Sequence, residues 1–110
     1  METITSLQRT ESNAEGGEGV MALPLGKVFG TFGALVAFAG ALDEEPDTFL
    51  ARHANGDWGE LNEHDRRATE HALEHGLRVL SAYTLRTGEK IWIVTQGDRS
   101  VTTILLPEEY

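Results

Sequence analysis

Histidines in the middle of this 110-residue chain, and a set of cations and hydroxyls near its end, are the side chains that offer chemistry. His53 stands beside Arg52 and four residues before Asp57, in R-H-A-N-G-D-W-G. A histidine near a helix end with a carboxylate at that spacing can be oriented and tuned as a general acid or base. The same pattern also serves structure, with Asp57 closing a turn and Trp58 filling the core between helix and sheet. His64, His71 and His75 recur at spacings of seven and four, which on a helix brings them within about 40° of one another beside Ala68. Such a stripe could hold zinc or nickel, but H-A-L-E-H carries Ala72 where the zinc-protease motif needs its glutamate, and no third-ligand motif follows. The expectation is therefore no metal and no cofactor, with these histidines at the core boundary next to Ala68 and Ala72. Further on, Asp98-Arg99-Ser100 turns into Val101-Thr102-Thr103. Adjacent threonines on a strand face opposite ways, so only one of Thr102 and Thr103 can line a site with Arg99 or Lys90. Strand propensity alone accounts for both threonines.

The elements that must position these groups are legible from turn residues and periodicity. Leu25 to Gly30 reads as a short strand entered through Pro24. Thr31 then caps a helix to about Gly40, with Phe32, Leu35, Val36, Phe38 and Ala39 as its apolar residues and close packing implied by its small ones. A second helix starts at Pro46 behind an acidic lead-in, carries Phe49, Leu50 and His53, and stops near Gly56. A third runs from an Asn62 N-cap to a Gly76 C-cap. Leu77 to Arg86 alternates in the period of a strand, Thr87-Gly88 turns the chain into Lys90 to Thr95, and Gly97-Asp98 turns it into Ser100 to Leu106. The run Ile91 to Val94, with Trp92, is expected to be core strand. The fold class is α+β: a single small domain over residues 23–110, with an N-terminal strand and three helices packed on a three-stranded antiparallel meander. Residues 1–22 read as a flexible acidic tail with too little apolar surface to offset its ordering entropy, and Met21 could serve as an alternative start.

Composition sets outer limits. There is no cysteine, which excludes disulfides and thiolate metal sites and fits a reducing cytoplasm. No apolar secretory segment precedes residue 20, and the longest uncharged run, Val28 to Leu42, contains three glycines and is shorter than the roughly 18 residues of a membrane span. A soluble cytoplasmic protein with no membrane partner is expected. The formal charge of −9 argues against simple binding to a phosphate backbone. Between Asp43 and Asp65 lie eight acids against Arg52 alone, whereas Leu77 to Leu106 has Arg78, Arg86, Lys90 and Arg99 against Glu89 and Asp98. An acidic helical half beside a mildly basic sheet is expected.

The segment Leu80 to Tyr110, with Trp92, Asp98, Arg99, Thr102, Thr103 and Tyr110, taken together with Arg52-His53 and Gly56-Asp57-Trp58-Gly59, resembles a small bacterial family of plasmids and integrative elements. Its members carry labels such as "plasmid-related protein" or "type I restriction endonuclease subunit M". The resemblance implies an accessory protein of a mobile genetic element and brings no activity with it. The order strand, helices, three strands, ending in a strand threonine before Pro107, is also similar to the metal-independent ribonucleases that include barnase, colicin and RelE-type toxins. That likeness implies a catalytic set of His53, Lys90 and Arg99 with Thr102 or Thr103. One group would take the 2′-hydroxyl proton, another would donate to the leaving oxygen, and a cation would steady the phosphorane.

The leading expectation is a non-enzymatic protein that binds another protein. Glu44, Glu45, Asp57, Trp58, Glu60 and Glu63 would form the surface, and a basic partner would suit its charge. Direct binding of nucleic acid is expected only under the ribonuclease-like alternative. The edge strand of a small meander leaves a homodimer open.

Overall fold

The structure, a computed structural model, describes Glu2, Thr3 and residues 23–110. The expected acidic tail and the alternative start at Met21 lie outside the described residues, apart from the backbone of Glu2 and Thr3. In chain order the elements are β1 (Glu2–Thr3), β2 (Lys27–Gly30), α1 (Phe32–Ala39), α2 (Pro46–Ala54), α3 (Glu63–His75), β3 (Val79–Thr84), β4 (Lys90–Thr95) and β5 (Val101–Leu105). A short 3-10 turn over Pro107–Glu109 closes the chain. These elements make a small α+β domain with three α-helices among the described residues.

Local chemistry places the helix ends. Thr31 accepts the Ala34 N–H at the start of α1, and Asn62 accepts the Asp65 N–H at the start of α3. Pro46 occupies the first turn of α2, where its missing N–H is no loss. Gly76 ends α3 in the left-handed region at φ 67°, a conformation that glycine adopts without steric cost.

The sheet differs from an isolated antiparallel meander. β3 and β4 are antiparallel, as are β4 and β5, but β2 adds on the far side of β5 in parallel, with Lys27 opposite Val101 and Gly30 opposite Ile104. The result is a four-stranded mixed sheet in the order β2-β5-β4-β3, to whose outer strand β1 pairs antiparallel. The reason is the ladder: β5 has a second row of backbone donors and acceptors, and β2 satisfies it.

One face of the sheet is covered by helices. Val28, Tyr83, Ile91, Ile93 and Ile104 from the strands meet Ala34 and Ala37 of α1 and Phe49 and Leu50 of α2 in the main core. Ile91, Ile93 and Ile104 are at most 1% exposed, and burial of each such side chain contributes about 1.5–3 kcal/mol. A smaller cluster of Leu23, Trp58, Ala72 and Val79 seats α3. One expectation about helix faces, that for α3, is overturned. In α1 the fully buried residues are the small Ala34 and Ala37, with Phe38 packed partly against the same core, whereas Phe32 and Val36 point outward. A Cβ on Gly33 would lie 2.8 Å from Leu106 Cδ1, so only a small-residue face lets this helix settle onto the chain end. In α3 the buried residues are Thr69 and Ala72, while Ala68 is exposed and His64, His71 and His75 lie in solvent rather than at the core boundary.

On the opposite face of the sheet the C-terminus packs against β4. Tyr110 meets Trp92 edge-on with ring centroids 5.3 Å apart, and the Arg78 guanidinium lies 5.5 Å from the Tyr110 ring. Trp92 is thereby half-buried on that face instead of being enclosed in the core.

Candidate functional site

Every second residue of a strand faces the helices, and three of those positions carry hydroxyls: Ser81 on β3, Thr95 on β4 and Thr102 on β5. α2 brings His53 down onto them. His53, Ser81, Thr95 and Thr102 all have 0% exposure. His53 Nδ1 is 2.7 Å from Ser81 Oγ and Nε2 is 2.9 Å from Thr95 Oγ1. Thr95 Oγ1 is 2.7 Å from Thr102 Oγ1, which is in turn 2.7 Å from the Leu25 carbonyl oxygen just ahead of β2.

This polar seam crosses the whole sheet, and its protons can be assigned from its far end. The Leu25 carbonyl can only accept, so the Thr102 hydroxyl donates to it. Thr102 Oγ1 then accepts from the Thr95 hydroxyl, and Thr95 Oγ1 accepts from His53 Nε2–H. Nδ1 is left unprotonated and accepts from Ser81. For a neutral imidazole, only this order puts one hydrogen into every contact, so network logic selects the Nε2–H tautomer. Burial, with the charge of Arg99 as a second cause, pushes the His53 pKa down to about 3. A neutral imidazole with both nitrogens occupied by buried hydroxyls is well suited to aligning α2 on three strands. It offers no lone pair to a molecule arriving from outside.

The other residues of the ribonuclease-like set lie elsewhere. Arg99 Nη1 donates to the carbonyls of Leu77 (2.7 Å) and Gln96 (3.2 Å), and Nη2 lies 3.4 Å from those of Ala72 and Leu73. It thus caps the C-terminal end of α3, where a cation suits the helix dipole. Holding that place requires Arg99 itself to take φ 63°, so the left-handed residue of this turn is Arg99 rather than Gly97. Lys90 Nζ donates to Thr84 Oγ1 at 3.3 Å and lies 4.0 Å from Glu60. Thr103 is half-buried and occupies the position between the inward-facing Thr102 and Ile104. His53 and Thr102 are brought together through Thr95; Lys90, Arg99 and Thr103 are not brought to them.

Asp57 is paired with Arg52 (Nε to Oδ2, 2.7 Å), which holds its carboxyl below the usual range, and it also accepts the Gly59 N–H. The Arg52 guanidinium stands 4.7 Å over the Tyr83 ring. Tyr83 donates its hydroxyl to the Asp57 carbonyl at 2.6 Å, and burial lifts its pKa to about 12. Trp58 is buried edge-on against His53, with centroids 5.8 Å apart, and is therefore a core residue rather than part of a docking surface.

The acids around it are at the surface. Glu44 accepts the Arg86 N–H, Asp43 pairs with the Arg86 guanidinium, Glu60 accepts the Thr84 hydroxyl and Glu63 pairs with Arg67. The acidic helical half and the basic sheet end thus meet in exposed ion pairs at the β3–β4 turn. Each is worth little. Glu45 and Asp47, at the start of α2, have no ion pair among the described residues. His71 and His75 stack at 4.1 Å between centroids, with His75 Nδ1 on the His71 carbonyl.

Sequence reasoning missed Ser81, Thr95 and Arg99's capping role. For the first two a signal existed, because a hydroxyl at an inward strand position among valines and isoleucines needs a buried partner. For Arg99 there was none, since the α3 carbonyls it caps are separated from it by the whole β3–β4 hairpin. Comparison of the chain with protein-family models, curated proteins and solved structures finds no match.

Proposed function

We propose that this is a non-catalytic, protein-binding accessory protein of a mobile genetic element. The observation that carries the reading is the division of labour among its polar groups. His53, Thr102 and Arg99 are spent on buried or capping contacts, while the acids of the helical half lie at the surface, some in exposed ion pairs and Glu45 and Asp47 in none among the described residues. Buried hydroxyls and a neutral imidazole supply specificity of packing. Exposed carboxylates supply long-range attraction for a basic partner, whose encounters they accelerate in a salt-dependent way.

Two measurements test this. Purified protein incubated with total bacterial RNA in excess EDTA is expected to leave the RNA intact. Cleavage that disappears in Lys90→Ala would overturn the reading, and Lys90 is exposed, so the variant keeps its fold. In the second, proteins retained from a bacterial lysate are compared for wild type and a variant carrying Glu44→Lys, Glu45→Lys, Glu60→Lys and Glu63→Lys. Retention that weakens with salt and is lost in the variant is expected; retention indifferent to all four reversals would sink the proposal.

A further inference from the structure

The outer face of α1 is the surface feature with the plainest physical demand. The helix, F-G-A-L-V-A-F-A, contains no polar or charged side chain. Its core side takes Ala34 and Ala37, with Phe38 packed partly against the same core, and two of the larger side chains are left outside: Phe32 is 72% exposed and Val36 53%. Ala39 continues the same stripe, and Leu42 stands 91% exposed just past the helix end. A helix apolar on its solvent face is a feature of helices that are covered in use. The strip along Phe32, Val36 and Ala39 is about 11 Å long, the span of two helical turns.

What covers it is indicated by charge. At the N-terminal end of α1, Glu109 accepts the Thr31 hydroxyl at 2.6 Å, with exposed Glu108 beside it. Past the C-terminal end come exposed Asp43, Glu45 and Asp47. The apolar strip is therefore bordered by carboxylates at both ends. A second copy of the chain would bring acids onto acids in a protein of charge −9. Beyond β1, residues 4–22 hold three glutamates against Arg9 alone, so this stretch meets the same repulsion, as does an anionic lipid surface. An apolar segment flanked by lysine or arginine matches both the strip and its borders.

We infer that the outer face of α1, with Phe32, Val36, Ala39 and Leu42 as its contact residues, docks a cationic amphipathic segment of another protein. This rests on the protein-binding reading above and gives it a location and a partner chemistry. Phe32 and Leu42 supply the apolar anchors, and Glu109 at one end with Glu45 and Asp47 at the other set the partner's orientation by receiving its flanking cations.

The probe is a synthetic helical peptide of leucine, alanine and lysine, with lysines at both ends, beside a counterpart carrying glutamate in place of lysine. Each is titrated into the full-length isotope-labelled protein and followed by amide chemical shifts. The lysine peptide is expected to bind with shifts concentrated on residues 31–47. Phe32→Ser with Val36→Ser is expected to weaken it by about tenfold or more, while the glutamate peptide leaves the spectrum unchanged. Binding that maps instead to Glu60 and Glu63, or survives the double substitution, would remove the α1 site and leave the protein-binding reading standing. Sedimentation as a dimer that Val36→Ser dissociates would assign the face to a second copy and overturn the inference. So would shifts of residues 1–22 on Phe32→Ser in the free protein, or binding to anionic vesicles lost in the double variant. RNA cleavage by the wild type would instead remove the protein-binding reading itself.

Discussion

His53 has both ring nitrogens in buried contacts, at 2.7 and 2.9 Å, so its replacement removes more than its own volume. His53→Ala leaves a cavity and strands the Ser81 and Thr95 hydroxyls, and is expected to cost about 3–5 kcal/mol in urea unfolding. The same residue sets a pH dependence. An unfolded histidine takes up its proton near pH 6.5, whereas the folded protein holds His53 neutral down to about 3. The unfolded state therefore binds more protons in that window. The stabilisation from a neutral His53 is complete above about pH 6.5 and is lost as pH falls toward 3, with a slope of about 1.4 kcal/mol per pH unit. Asp57 and Glu109, whose pKa values are lowered by Arg52 and Thr31 respectively, lose their contributions in the same direction but only through the carboxylate range. Urea unfolding at pH 7, 6 and 5 separates the two, because His53→Gln should flatten the slope between 6 and 5. An unchanged slope would mean that His53 titrates normally in the folded protein.

At the scale of elements, the outer edge of β3 shows how the sheet is closed. The Thr69 hydroxyl on α3 donates to the Leu80 carbonyl and accepts the Leu80 N–H, both at 2.9 Å. One residue pair further along, the Ala82 N–H reaches the Trp58 carbonyl and its carbonyl accepts the Glu60 N–H. An edge that would otherwise template another strand is thus occupied by a side chain and a loop. Thr69→Val keeps the shape and removes the hydroxyl, leaving two backbone groups unsatisfied. It is expected to cost about 2–3 kcal/mol and to increase aggregation, measured by thermal unfolding and light scattering. The loop depends on Gly59, whose φ is 73° and where a Cβ would collide with the Ala82 carbonyl oxygen. Gly59→Ala is accordingly expected to lose the bridge and more than about 2 kcal/mol of stability.

At the scale of the whole molecule, the helices shield one sheet face, and among the described residues the outer face of α1 with Leu42 groups three of the exposed large hydrophobic side chains. Phe32→Ser and Val36→Ser remove side chains that are 72% and 53% exposed and are each expected to change unfolding free energy by less than about 1 kcal/mol. A loss of several kcal/mol in a urea titration would mean that this face is covered within the folded chain. Charge acts over the same scale. Exposed pairs such as Arg67–Glu63 and Arg86–Asp43 contribute little individually, so raising salt from low to physiological should leave stability nearly unchanged while weakening partner encounters.

The sequence by itself determined the elements, because their ends are written in short-range chemistry. Thr31, Pro46, Asn62 and Gly76 stop and start helices by contacts within one turn, and the inward-facing residues of β3 to β5 follow from the period of the strand. It also determined the class, α+β, and the excess of acid. The parallel seat of β2 on β5 was not legible, since either edge of the meander offered an unsatisfied ladder and Lys27 to Gly30 has no mark of its partner. Nor was the face that α1 buries: Ala34, Ala37 and Phe38 turn to the core and Phe32 and Val36 to solvent, in a seat that the chain end approaches closely at Gly33 through Leu106 and Glu109. The same holds for His53. Its type and its neighbour Asp57 suggested chemistry at a surface, but which way a helix side chain points is set by the sheet beneath it. Two hydroxyls, 28 and 42 residues away from that histidine, complete its hydrogen bonds in the core, and only the folded chain brings them together.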